Sequence, residues 1–265
     1  MKCWKPVLVL AACALLAGCA STRSISDSAY REPGTAGHAS PAGRSDPAFA
    51  YRGDLSEFDL LGVARDLTAF EEDIQQASDK ARPIRLKPHS TILLIQSGAM
   101  FPDGPMVANL SKHFTVVPFS GRPPAKDSVG SLESRDAVAL SRSLRLAAAR
   151  AGAETILCYW GMLESAQEKM ATKAVSWVPL VTWFVPDERQ HVRIRLKLAL
   201  VDVRTGNWSV LSPPPLDSNA LSVGPRRAVA DQKLVDRLKN QSYGASVEEL
   251  MRVYSDERAS ANRAN

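Results

Sequence analysis

The clearest chemical signal in the sequence is Cys19, which closes the run Leu16-Ala17-Gly18-Cys19. A basic start with Lys2 and Lys5 comes first, followed by an uncharged apolar run over residues 7–17. That run is too short for the ~30 Å hydrocarbon core of a bilayer. It has the length and flanks of a signal-peptide core, so residues 1–18 are predicted to be an export signal.

The four residues ending at Cys19 resemble the lipobox of bacterial lipoproteins, in which a branched apolar residue and two small residues precede an obligate cysteine. The resemblance implies cleavage before Cys19, a lipid on its sulfur and an amino terminus acylated by a fatty acid such as palmitate. Small residues let a protease approach the backbone, and the thiol is the required nucleophile. The alternative is an ordinary secretory signal with an incidental cysteine. Ala20, where some lipoproteins have Asp, resembles the pattern of those forwarded to the outer membrane, which implies a position on its periplasmic face.

No catalytic or metal-binding motif appears elsewhere. The sequence has no His-Glu-x-x-His, no Gly-x-Ser-x-Gly and no Gly-x-x-x-x-Gly-Lys. None of its four histidines has an acid or a cysteine at ligand spacing; they are His38, His89, His113 and His191. We therefore predict no catalytic residue, metal or cofactor, while a site assembled only in space stays open.

Composition limits the remaining possibilities. The 45% hydrophobic and 23% charged fractions are those of an ordinary globular protein. Loss of Lys2 and Lys5 lowers the net charge from +5 to about +3, which does not favour nucleic acid as a partner. After cleavage and lipidation, Cys158 is the one free thiol left, and its apolar surroundings predict a buried core residue.

Four segments are predicted from these patterns. Residues 1–18 are the lipoprotein signal peptide, and residues 19–50 are a lipidated flexible tether rich in Ser, Ala, Gly and Pro. Residues 51–258 form a single periplasmic α/β domain, and residues 259–265 are a disordered tail.

Within the domain, helical and strand patterns alternate. The fold class predicted is α/β (α+β), with a mixed, partly antiparallel sheet of about five strands and helices packed on it. Strand 91–96 is apolar throughout, which indicates burial on both faces, whereas strand 191–203 alternates as an antiparallel strand does. Helices are predicted at 54–80, 106–113, 134–151, 225–241 and from Ser246 onward after a break at Gly244, and further strands at 114–119, 155–163 and up to Leu211.

The unusual feature of the domain is an uncharged segment at residues 174–186, which contains Trp177, Pro179, Trp183 and Phe184. It is too short for a transmembrane hairpin, since each spanning strand needs about 9–11 residues. It either completes the core, presents aromatic anchors to a protein partner, or dips into the membrane interface. Beside it in the sequence, Arg193, Arg195 and Lys197 form either a basic contact stripe or a solvated sheet face.

Two further stretches, Ala151–Leu157 and Leu200–Gly206, resemble, together with the lipobox, the periplasmic α/β domain of curli-secretion channel lipoproteins and of outer-membrane activators of penicillin-binding proteins. The apolar segment followed by a His-Val strand and Asp-Val-Arg-Thr-Gly is similar to the rhombotarget lipoproteins. The likeness spans residues 85–240. It implies a periplasmic fold of this type and a role in envelope assembly, secretion or wall synthesis.

These patterns favour a non-enzymatic lipoprotein that binds an unidentified envelope protein and acts as an assembly or regulatory factor. Two alternatives remain. One is a hydrolase of peptide or cell-wall polymer with a spatially assembled site, and the other is a ring-forming subunit of a secretion channel.

Overall fold

Seven strands form one mixed sheet in the part of the chain that the structure describes. The structure is a computed structural model, and it describes residues 20–27, 54–63, 70–120, 133–169, 188–222 and 227–255. In chain order the elements are β1 (Ala20–Ser24), a 3-10 turn (Ile25–Asp27), α1 (Glu57–Leu61), α2 (Glu71–Lys80), β2 (Thr91–Gln96), α3 (Gly104–Leu110), β3 (Thr115–Phe119), α4 (Glu133–Arg150), β4 (Thr155–Lys169), β5 (Glu188–Asp202), β6 (Trp208–Leu211), β7 (Leu216–Ser222) and α5 (Arg227–Tyr254).

The strand order is β3-β2-β4-β5-β6, with β3, β2 and β4 parallel and β4, β5 and β6 antiparallel. Beyond the ends of β2 and β6, the long β4–β5 pair is flanked by β1 on one side and β7 on the other. The predicted mixed α/β class is therefore confirmed. The sheet has two strands more than the five expected. These are β1 and β7, whose polar sequences carry no alternating apolar signal from which a strand could be predicted.

Helices cover both faces of the sheet and so create two cores. Residues of α3 and α5 pack on one face, around Leu94, Leu157 and Leu198. Residues of α4, together with Leu60 of α1, pack on the other, around Ile95 and Cys158. Burial on both faces confirms the interpretation of the apolar run in β2. The predicted core position of Cys158 is also confirmed, and burial raises the pKa of its thiol.

The prediction of a flexible tether from residue 19 is wrong for residues 20–27. Ala20–Ser24 pairs antiparallel with β4, and Ile25 is completely buried. Backbone hydrogen bonds to β4 hold this edge strand whatever its side chains are, and the buried Ile25 anchors its end. A polar sequence is therefore compatible with a strand here. Residues 28–53 and 256–265, which hold the rest of the predicted tether and the tail, lie outside the described residues.

Two predicted helix boundaries are corrected. The helix expected at 54–80 is interrupted, because α1 ends at Gly62 with a positive φ of 67° and its capping box is Ser56 with Asp59. Phe70 and Ile74, which fall within the predicted helix, are exposed.

At the other end of the chain, α5 runs straight through Gly244. Tyr243 and Val247 on either side of the glycine are buried, and their packing outweighs the ~1 kcal/mol that a glycine costs within a helix. Ser246 is buried inside the helix and does not begin a new one.

Candidate functional site

The structure describes three of the predicted contact residues. Arg193, Arg195 and Lys197 lie on β5. Cys19, Trp177, Pro179, Trp183 and Phe184 lie outside the described residues.

Alternation along β5 brings the three cations to one face of the sheet, where each pairs with a carboxylate. Arg193 Nε donates to Asp217 Oδ1 of β7 at 2.5 Å, and Arg195 Nε lies 3.0 Å from Glu164 Oε1 of β4. Lys197 pairs with Glu57 of α1. The hydrogen bond to Asp217 raises the pKa of Arg193, and the same bond lowers the pKa of Asp217. The three cations are therefore partly exposed, and the carboxylates of Asp217, Glu164 and Glu57 balance their positive charge.

The register of β1 locates the point where Cys19 joins the fold. Ala20, which directly follows Cys19, pairs with Ala166 of β4. The β4–β5 ladder continues three residues further to the pair Lys169–Glu188, about 10 Å away along the strand. Residues 170–187, which carry the apolar segment, connect that last pair. The lipobox cysteine and the apolar segment therefore join the described sheet at the same end.

Beside β1, beyond the carboxyl end of β2 and next to Gly161 of β4, lies a buried position that we call the crevice. The chain leaves β2 through α3 on one face and enters β4 from α4 on the other, which makes this the switch point of the sheet. Ile25 fills it. A Cβ at Gly161 would lie 2.5 Å from Ile25 Cγ2, so only glycine leaves room for this side chain.

Polar side chains close the crevice around Ile25. Lys239 Nζ, completely buried, donates to the carbonyl oxygen of Ile25 at 3.1 Å and to Asp103 Oδ2 at 2.9 Å. Ser26 Oγ donates to the carbonyl oxygen of Ser97 at 2.7 Å and accepts from Gln96 Nε2 at 3.1 Å. A fully buried lysine is rare unless it is paired, and here it links α5, the residue before α3 and the N-terminal segment.

Two tyrosines complete this polar cluster. Tyr243 donates from its hydroxyl to Asp103 Oδ2, and Tyr159 donates to Gln96 Oε1. Burial raises the pKa of both tyrosines well above the ordinary value, and the charge of Asp103 adds to the shift. Both groups stay neutral at physiological pH, so the cluster acts as a hydrogen-bonded clamp.

Sequence reasoning missed this cluster. Lys239 falls four residues after Val235 and four before Tyr243, on the apolar side of the predicted helix, and that position was the available signal. The contacts of Lys239 with Asp103 and Ile25 could not be predicted from sequence patterns, because the partners are separated by 136 and 214 positions in the chain.

The three histidines in the described part of the chain, His89, His113 and His191, belong to no ligand set. His89 and His113 border an open cleft of about 640 Å³ together with Arg252, at the opposite end of the parallel strands. Across the described residues, no group of three or more His, Cys, Asp or Glu side chains is placed to hold a metal ion. Within the β5–β6 turn, the backbone N–H and the hydroxyl of Thr205 donate to Asp202 Oδ1.

Comparison with known proteins places the chain among envelope lipoproteins. None of the helices in the described ranges has the length and apolar character needed to cross a bilayer. A search of curated proteins finds no match. Residues 56–253, most of the chain, match the family described as YafT bacterial lipoprotein, which implies a membrane-anchored position in the cell envelope. The chain belongs to the YafT bacterial lipoprotein family.

Proposed function

We propose that this chain is an outer-membrane lipoprotein, anchored by lipid on Cys19, whose periplasm-facing domain binds an envelope protein without catalysing a reaction. The observation that carries this proposal is the pairing of Ala20 with Ala166. Through the continuity of the chain, Cys19 and the linker 170–187, which contains the apolar segment 174–186, both join the sheet at this end of the β4–β5 pair. A protein bound at that end is held close to the membrane.

The contact surface combines the apolar segment with the neighbouring strand face. Trp177, Pro179, Trp183 and Phe184 supply aromatic and rigid anchors of the kind that dominate protein interfaces. The three cations follow on β5, which starts at Glu188; Arg193 lies five residues after that start, and Arg195 and Lys197 come next on the same face. Because their charges are balanced by Glu57, Glu164 and Asp217, they favour a partner of mixed polarity over a strongly acidic one.

The likeness to the curli-channel, penicillin-binding-protein-activator and rhombotarget lipoproteins suggests the processes in which such a partner works. We propose envelope assembly, secretion or wall synthesis on that ground.

Lipidation is tested with a chain carrying Cys19→Ser. Wild-type protein is expected to incorporate an alkyne-labelled fatty acid and to sediment with outer membranes on a density gradient, whereas the variant loses both properties. Wild-type protein without acyl groups, or found in the inner membrane, contradicts the anchoring part of the proposal.

Partner binding is tested by photo-crosslinking in native envelopes. A crosslinker at Trp183 is expected to capture a discrete protein, and one at the exposed Val253 of α5 serves as the control. Trp177→Ser with Trp183→Ser should abolish the product while the protein stays folded. Unfolding of that variant would assign the segment to the core, and turnover of wall polymer by the purified protein would contradict a non-enzymatic role.

A further inference from the structure

We propose that residues 20–27 are a latch that locks the lipid anchor to the sheet, so that the β1 end of the hairpin rests directly on a phospholipid bilayer. This inference rests on the proposed function, because it takes the lipid to be on Cys19. A flexible tether over residues 19–50 would let the domain move freely above the membrane, whereas this latch would hold the domain against the membrane in a fixed orientation.

The first step is that no linker residue separates the lipid-bearing Cys19 from the first residue of β1, Ala20. Cys19 is followed at once by β1, which pairs with β4 at every position from Ala20–Ala166 to Ser24–Met162. Each strand residue advances only about 3.3 Å. Acyl chains on Cys19 therefore hold the edge of the sheet within a few ångströms of the lipid headgroups.

The second step is the lock that keeps β1 in place. A terminal edge strand frays easily when nothing anchors it. Here the turn after β1 is fixed by three independent contacts, namely the Ile25 side chain in the space left by Gly161, the bond from Lys239 to the Ile25 carbonyl, and Ser26 between Gln96 and Ser97. Withdrawing the turn would empty the crevice and deprive a buried ammonium of an acceptor, so we infer that the segment stays seated.

The third step is orientation. Ala20 pairs near one end of the fifteen-residue β4–β5 ladder, and the opposite end lies at the pair Thr155–Asp202. The distance from Ala166 to Thr155 along β4 is roughly 35 Å. The turn after Asp202 is thus far from the anchored end, and the two ends should differ in their distance from a bilayer.

The test uses the lipidated full-length chain in vesicles of phosphatidylethanolamine and phosphatidylglycerol. Fluorescent reporters are placed one at a time at Thr22→Cys near the anchor and at Arg204→Cys in the far turn, both at exposed positions. Energy transfer to headgroup-labelled lipid should be several-fold stronger from position 22. A ten-residue Gly-Ser spacer between Cys19 and Ala20 should bring that ratio close to one, while the same spacer added after Asn265 should leave it unchanged.

The spacer leaves residues 20–27 free to occupy the crevice, so this test does not depend on a destabilised variant. Equal transfer from both positions in acylated wild-type protein overturns the docked orientation and leaves the lipoprotein assignment intact. Absence of acyl groups on Cys19 by mass spectrometry refutes the proposed function itself. As a second measurement, backbone amides of residues 22–26 should exchange slowly in wild-type protein and at least ten-fold faster with Ile25→Ala. Fast exchange in wild-type protein overturns the latch.

Discussion

Ile25 packs directly against Gly161, and the absence of a side chain at this position in the middle of β4 leaves room for the fully buried side chain of Ile25. This relationship makes residues 20–27 part of the folded domain. It also makes this contact testable, because either partner can be changed by a small number of atoms.

Gly161→Ala is expected to destabilise the protein by about 1–3 kcal/mol, since its Cβ would overlap Ile25. Ile25→Ala should cost about 2–5 kcal/mol through the cavity it leaves. Because Ile25→Ala removes two of the three atoms nearest the new Cβ, the double variant should lose less than the sum of the two. Urea unfolding measures all three. Gly104→Ala, whose Cβ would meet nothing within 4 Å, is the matched control, and strict additivity would contradict the direct packing of Ile25 on Gly161.

The buried ion pair predicts a second effect on stability. Asp103→Asn removes the carboxylate charge 2.9 Å from the buried ammonium of Lys239, and should lower the free energy of unfolding by about 3–5 kcal/mol. The exposed pair between Lys87 and Glu154 is the control, and Lys87→Met should cost at most about 1 kcal/mol. If chemical denaturation gives equal losses of unfolding free energy for the two variants, the pair between Lys239 and Asp103 contributes no more to stability than an exposed pair does.

Gly244→Ala is expected to stabilise the protein by about 0.5–1 kcal/mol, because α5 is continuous there and the new Cβ would meet only Asn109 Oδ1 at 3.9 Å. The opposite sign is expected for Gly62→Ala, since Gly62 has a positive φ and its Cβ would lie 3.0 Å from Ser141. Thermal unfolding distinguishes the two. Destabilisation by Gly244→Ala would mean that the helix breaks at this residue.

The two buried tyrosines predict a loss of stability in alkali. Their pKa values in the folded protein lie above the ordinary value of 10.0, so an unfolded chain releases these protons at a lower pH than the folded one. Their contribution to stability is therefore intact below about pH 10 and is lost as the pH rises further. Tyrosinate absorbance and circular dichroism, followed together, should show Tyr159 and Tyr243 ionising only as the fold is lost. Ionisation of all five tyrosines near pH 10 with unchanged ellipticity would contradict this.

Local pattern was sufficient for most elements of the sheet. The apolar run of β2 and the alternation of β5 depend on neighbouring residues, and both strands were predicted close to their observed places. Patterns failed where distant segments decide the outcome. β1 is polar and is held by β4, and α5 continues through Gly244 because tertiary packing supports it.

The sequence by itself determined the lipobox, the mixed α/β class, the buried position of Cys158 and the residue types of the apolar segment, because these depend on short-range order and composition. Only the tertiary structure decided that the N-terminal segment occupies the crevice, that Lys239 meets Asp103, and that the cation stripe is neutralised by carboxylates. The physical reason is that such contacts join residues far apart in the chain, and their partners are chosen by packing and by the need to pair buried polar groups.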